Sequence, residues 1–179
     1  MTKNQFGIRC ALLFIVFFST ASWASAQAKK VSDECRPWIQ KIDPALGKRG
    51  FAIQLPVQEQ DLLVAVSCLL KSEGNKGPSQ CDMNMTHNGG TDLPPPTVEV
   101  FALYYISFIF EGDWEYAEGI ALEDRRGRIN PPGSVHTAYV AYRKWFLKVR
   151  EIGVEQARKE HLKPLDPSGI NWFGGTAMY

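Results

Sequence analysis

The acids Glu111, Asp113, Glu115 and Glu118 form the densest carboxylate group in the chain. Glycoside hydrolysis needs two carboxylates facing each other across roughly 5–10 Å, one of them with a raised pKa. Glu111 and Glu115 share a helix face only if the helix runs through Gly112, and a glycine there reads as a stop. Asp113 is better explained as an N-cap and Glu115 as a first-turn acid facing the positive end of a helix dipole. Glu99 is the sharper candidate, because its neighbours are nearly all apolar. A carboxylate buried alone has its pKa raised and can serve as a general acid. Its predicted place in a first helical turn supplies a structural reason for the same residue.

The three histidines, His87, His136 and His161, do not cluster in sequence. No HxxxH or HExxH spacing brings ligands together, so neither a metal nor any other cofactor is expected. Gly89-Gly90 and Gly174-Gly175 lack the strand-then-helix setting of a phosphate loop, and no G-x-S-x-G elbow occurs. No residue is therefore assigned a catalytic role. Residues that can contact a partner remain: His87 and Asn88 in a long loop, and Arg125 and Arg126, which with Arg128 offer charge to an anionic group.

Cysteine placement bears on compartment. Cys10 lies within the N-terminal segment, leaving Cys35, Cys68 and Cys81 beyond it. Three pairings are open. Cys68 falls late in a predicted helix and Cys81 in the loop after it, so the short separation favours Cys68–Cys81. With no CxxC and no adjacent Cys–His pair, the expected role is a structural staple.

These residues need elements to hold them. Leu62, Val66, Leu69 and Leu70 repeat at helical spacing over 59–73, with Glu59 and Asp61 in the first turn and Gly74 at the end. Residues 75–96 are rich in Gly, Asn, Ser, Thr and Pro, longer than connections usually are, and end in Pro94-Pro95-Pro96. Thr97 then suits an N-cap for a helix over 98–110 that is apolar on nearly every side, hence buried. Asp113 starts a third helix in which Trp114, Ala117 and Ala121 share a face. Ser134 caps a fourth over 134–152, with Val135, Ala138, Tyr139, Tyr142, Phe146, Val149 and Ile152 as its inner stripe. Gly153 breaks it before a fifth over 154–161. Residues 29–50 read as polar chain anchored by Trp38 and Ile39, residues 51–55 as a short extended piece, and the tail as a loop pinned by Trp172 and Phe173. The expected fold class is all-α: about five helices in antiparallel helical hairpins, with the long loop between the first two.

The N-terminus shows the three regions of a cleavable export signal. Lys3 and Arg9 are basic, residues 11–18 are an unbroken apolar run, and Ala24-Ser25-Ala26 offers a cleavage site, with Ala26-Gln27-Ala28 as the alternative. A run of that length is far short of the about 20 residues that span a bilayer. The expected organisation is a signal peptide at 1–26, an N-terminal polar segment at 27–58 and one helical domain at 59–179. Losing Lys3 and Arg9 takes the 20 basic side chains to 18 against 19 acidic ones, and the formal charge from +1 to −1. A near-neutral surface argues against a nucleic-acid partner. No later stretch is apolar enough for a transmembrane anchor.

Three stretches carry a resemblance: TVEVFALYYIS at 97–107, YRKWFLKVREIG at 142–153 and PLDPSGINWF at 164–173. Together they resemble a group of small exported bacterial helical proteins, over about residues 60 to 173. The resemblance implies export and a single domain, and supplies no mechanism.

The expected function is a non-enzymatic binding protein in the periplasm or outside the cell, an inhibitor or immunity-type partner of another envelope or exported protein. The alternative is a small cell-wall hydrolase using Glu99 or His87 as acid/base.

Overall fold

A computed structural model of the chain describes residues 31–46, 58–80, 93, 95–112 and 120–174. Pro37 opens a short helix α1 (Arg36–Ile39), where a missing N–H costs nothing. Helix α2 (Glu59–Leu69) buries Leu62, Ala65, Val66, Cys68 and Leu69, then tightens into a 3₁₀ turn over Leu70–Ser72. The predicted helix over 59–73 is thus α-helical only to Leu69.

Helix α3 (Val98–Glu111) is the centre of the core: every residue from Val98 to Phe110 is buried. Thr97 Oγ1 accepts from Val100 N, and Gly112 ends the helix at φ +80°, a left-handed conformation that glycine adopts without a Cβ penalty. A helix without a polar face must be covered on several sides, and α3 packs against both α2 and α4 (Ser134–Ile152). The N-cap of α4 is Gly133 rather than Ser134, which is the first helical residue; its buried hydroxyl has no hydrogen-bond partner among the described residues. Gly153, at φ +88° and ψ 154°, turns the chain into α5 (Val154–Lys159). Glu59 Oε1 accepts from Val154 N at 2.9 Å and so caps α5 from the start of α2. At the other end of α3, Arg158 Nε donates to Phe110 O at 2.7 Å, answering one of the helix's unpaired carbonyls.

The described chain is mostly helical, but not all-α. Strand β1 (Leu122–Asp124) pairs antiparallel with β2 (Ile170–Trp172), placing Leu122 opposite Trp172 and Asp124 opposite Ile170. Each strand has three residues, too few to show the alternation by which a strand is read from sequence. Ala121 sits directly before β1 rather than in a helix, while Trp114 and Ala117 lie outside the described residues. Residues 51–55 also lie outside them. The predicted tail anchor Trp172 is buried, its ring edge-on to Tyr104 with centroids 5.4 Å apart.

Cys68 is bonded to Cys35, with Cα atoms 5.1 Å apart, and not to Cys81, which lies outside the described residues. Sequence proximity was the wrong criterion. The pairing follows from α1 lying on α2, which carries Cys35 to Cys68 across a separation of 33 residues.

Candidate functional site

The two ends of the long loop meet at the N-terminus of α3. A helix leaves its first N–H groups without intrahelical partners. Here the incoming chain supplies them: Val98 N donates to Gly77 O at 2.9 Å and Glu99 N to Asn75 O at 3.0 Å. Ser79 N donates to Pro96 O at 3.2 Å, and Pro78 pairs antiparallel with Thr97. The chain that enters the loop, residues 75–79, therefore lies beside the chain that leaves it, residues 96–99, at the start of the helix that forms the core.

Side chains brace this stem from two directions. Gln80 N donates to Ile42 O at 2.9 Å, while its Nε2 donates to Gln40 O at 2.8 Å and Asp43 O at 3.2 Å. Asn75 Nδ2 donates to Asp43 Oδ2 at 2.8 Å, and Ala45 N to Asp43 Oδ1 at 2.9 Å. Of the six buried polar or charged residues among those described, Asp43, Gln80 and Glu99 lie on this stem with their side chains hydrogen-bonded, while the nearby Ser72 hydroxyl has no hydrogen-bond partner among the described residues. Buried polar groups raise stability only when partnered, so their gathering here marks the stem as specified structure rather than slack chain.

Glu99 takes its place in the same network. Its carboxylate is buried, and Oε2 accepts from Gly74 N at 2.8 Å, an ion-assisted bond that holds the loop's first turn against α3. Tyr139 OH donates to Glu99 O at 3.0 Å from α4. Burial, and then the charges of Glu99 and Glu73, hold the Tyr139 phenol far above its ordinary value. It is a fixed neutral donor, unsuited to act as a base.

Glu73 ties the stem to the outer side of α4. Its Oε1 meets His136 Nδ1 at 2.8 Å and its Oε2 accepts from Arg143, whose guanidinium also lies over the Tyr139 ring. Partial burial works to raise the Glu73 pKa, but the hydrogen bonds and charges of Arg143 and His136 outweigh it and leave the carboxyl below its usual range.

The sequence-nominated contact residues are not gathered at one place. His87 and Asn88 lie outside the described residues, within the segment whose ends the stem holds. Arg125 and Arg126 are exposed on the turn after β1. Arg128 Nε donates to Asp124 Oδ2 at 2.8 Å, and Arg126 N and Arg128 N both donate to Asp124 Oδ1. The Arg128 side-chain bond, aided by these backbone bonds, keeps the Asp124 carboxyl below the ordinary range. Arg125 lies against Gly169, where a Cβ would meet its Nε at 3.0 Å. Glu111 is exposed at the end of α3, and Asp113, Glu115 and Glu118 lie outside the described residues. His161 is exposed just past α5 at φ +50°. Among the described residues no group of three or more His, Cys, Asp or Glu could hold a metal ion, and no helix is long and apolar enough to cross a membrane.

Sequence reasoning missed Asn75 and Gln80, which anchor the stem, because their partners are 32 to 40 residues away. No protein-family profile matches the chain, and no curated protein or solved structure does.

Proposed function

We propose that this chain is an exported, non-enzymatic binding protein of the bacterial cell envelope, of inhibitor or immunity type. On this reading it presents the loop at residues 75–96 and the adjoining helix faces to another exported protein. The observation that carries the reading is the stem: both ends of the loop are hydrogen-bonded to one another and to α3. Fixing the ends lowers the entropy lost when the loop meets a partner, which is how a rigid scaffold makes a loop an effective contact surface. Export is supported by the N-terminal pattern and fits the Cys35–Cys68 bond, since such bonds persist in oxidising compartments.

The test is affinity capture from an envelope fraction, using the folded protein and a His87→Ala/Asn88→Ala variant. The wild type is expected to retain a defined partner, and the variant to retain at least about tenfold less, the loss of roughly 1.4 kcal/mol of contact. Equal retention would take those two residues out of the interface. Repeated failure of folded wild-type protein to retain any partner would remove the binding reading.

A further inference from the structure

The outward face of α4 carries a pattern of which the stem uses only Arg143. Leu147 is 64% exposed and Val140, one heptad earlier, is 37% exposed. Arg143, Lys144, Lys148 and Arg150 surround them, with Glu151 the one acid on that stretch. Arg143 is engaged by Glu73 and Lys148 by Glu151. Lys144 and Arg150 have no ion-pair partner among the described residues. A single exposed leucine is ordinary on a protein surface. Two apolar side chains on one helical stripe, flanked by uncompensated cations, form a surface with a definite complement.

Beside this stripe runs a groove of about 290 Å³ between α2 and α4. Gln60, Leu63, Val64 and Ser67 line it from α2, and Phe146 and Arg150 from α4. The Arg150 guanidinium lies over the Phe146 ring, 5.9 Å from its centroid. Stacking on an aromatic ring restrains a long side chain and leaves its planar donors free for a carboxylate. Glu34 also lines the groove but makes no ion pair with Arg150. Arginine and aromatic side chains in partly desolvated grooves are the usual centres of binding energy at protein interfaces.

We infer that this α4 face and the α2–α4 groove dock an acidic, leucine-bearing helical segment of a partner protein. Its carboxylates meet Arg150 and Lys144, and its apolar side chains meet Leu147, Val140 and the Leu63–Val64–Phe146 floor. The inference rests on the binding reading above but assigns a different surface from the loop. Charge decides the occupant: a basic segment would meet two free cations, and a second copy of this face would bring like charges together.

The test needs no native partner, so its failure is separable from failure of the loop capture. A synthetic amphipathic peptide with leucines at helical spacing and glutamates between them is titrated into the isotope-labelled full chain and followed by amide NMR. A twin peptide carries lysine for each glutamate. Saturable shifts are expected at Leu63, Val64, Ser67, Leu147 and Arg150 with the acidic peptide alone. Raising the salt from about 50 to about 500 mM should weaken binding severalfold. Arg150→Glu should weaken the acidic peptide at least about tenfold and admit the lysine twin. Because Arg150 is exposed, the variant keeps its fold, checked from its undisturbed core resonances; Leu147→Asp serves as a second variant. Overturning results are no saturable shift, equal binding of both peptides, shifts confined to other surfaces, or a dimer that Arg150→Glu dissociates.

Discussion

At the residue scale the informative acid is Glu73, held below the ordinary carboxylate range despite its partial burial. Its two partners, Arg143 and His136, both come from α4, so the charge links the end of the α2 segment to the helix across it. The depressed value fixes the sign of a pH effect. A carboxyl whose folded pKa lies below its unfolded one contributes stability above the unfolded value, here 4.5, and loses it as pH falls through the folded one. Glu73→Gln is therefore expected to lower the urea midpoint relative to wild type at neutral pH, with the gap closing progressively below the ordinary carboxylate range. Urea melts of both proteins at stepped pH would show it, and a gap constant down to about pH 3 would mean the charge is not what Glu73 contributes. Glu99 illustrates the opposite lesson. Read from its apolar neighbours it is a candidate acid, but the Gly74 N–H at 2.8 Å gives it a structural task that local sequence does not display.

At the element scale the Cys35–Cys68 bond fastens α1, a helix of four residues too short to hold itself, onto α2. Closing a loop of that separation stabilises the folded state by about 3–4 kcal/mol on the chain-entropy model. Reduction, or Cys35→Ser with Cys68→Ser, is expected to lower Tm by a corresponding amount. Cys81→Ala, by contrast, should leave the response to reductant in place. If Cys81→Ala abolished that response, Cys81 would be a bonding partner after all. The helix boundaries were largely legible in sequence, because capping and stopping are local. Thr97 and Gly112 bound α3 as their chemistry suggests, and Gly153 separates α4 from α5 in a conformation only glycine adopts readily. The N-cap of α4 lies one residue earlier than expected, at Gly133 in a left-handed conformation, and no side-chain hydrogen bond caps the helix.

Across the whole described body, Trp172, with Leu165 and Ile170, closes the tail over the core. It pairs with Leu122 in the small sheet, and its ring meets Tyr104 of α3 edge-on. Trp172→Ala leaves the backbone pairing in place but removes the buried ring and its contact with Tyr104, and is expected to cost about 3–5 kcal/mol, read from denaturant melts. A loss under about 1 kcal/mol would mean that the tail closes without it. The aromatic side chains Tyr104, Phe110, Tyr142 and Trp145 continue this packing through the core, with Phe110 and Trp145 also edge-on at 4.8 Å.

What the sequence determined by itself was periodic or local. The predominantly apolar α3, the amphipathic stripe of α4 and the glycine stops are set by neighbours within a turn or two, so they can be read along the chain. The tertiary structure alone decided the rest: Cys35 as the partner of Cys68, the pairing of β1 with β2, the stem built from Asn75, Gln80 and Asp43, and the groove beneath Arg150. Each joins residues far apart in sequence, and whether they meet depends on how the helices pack. The cost of closing a long loop is met by the summed packing of the core rather than by any one pair, so no pair announces itself in advance.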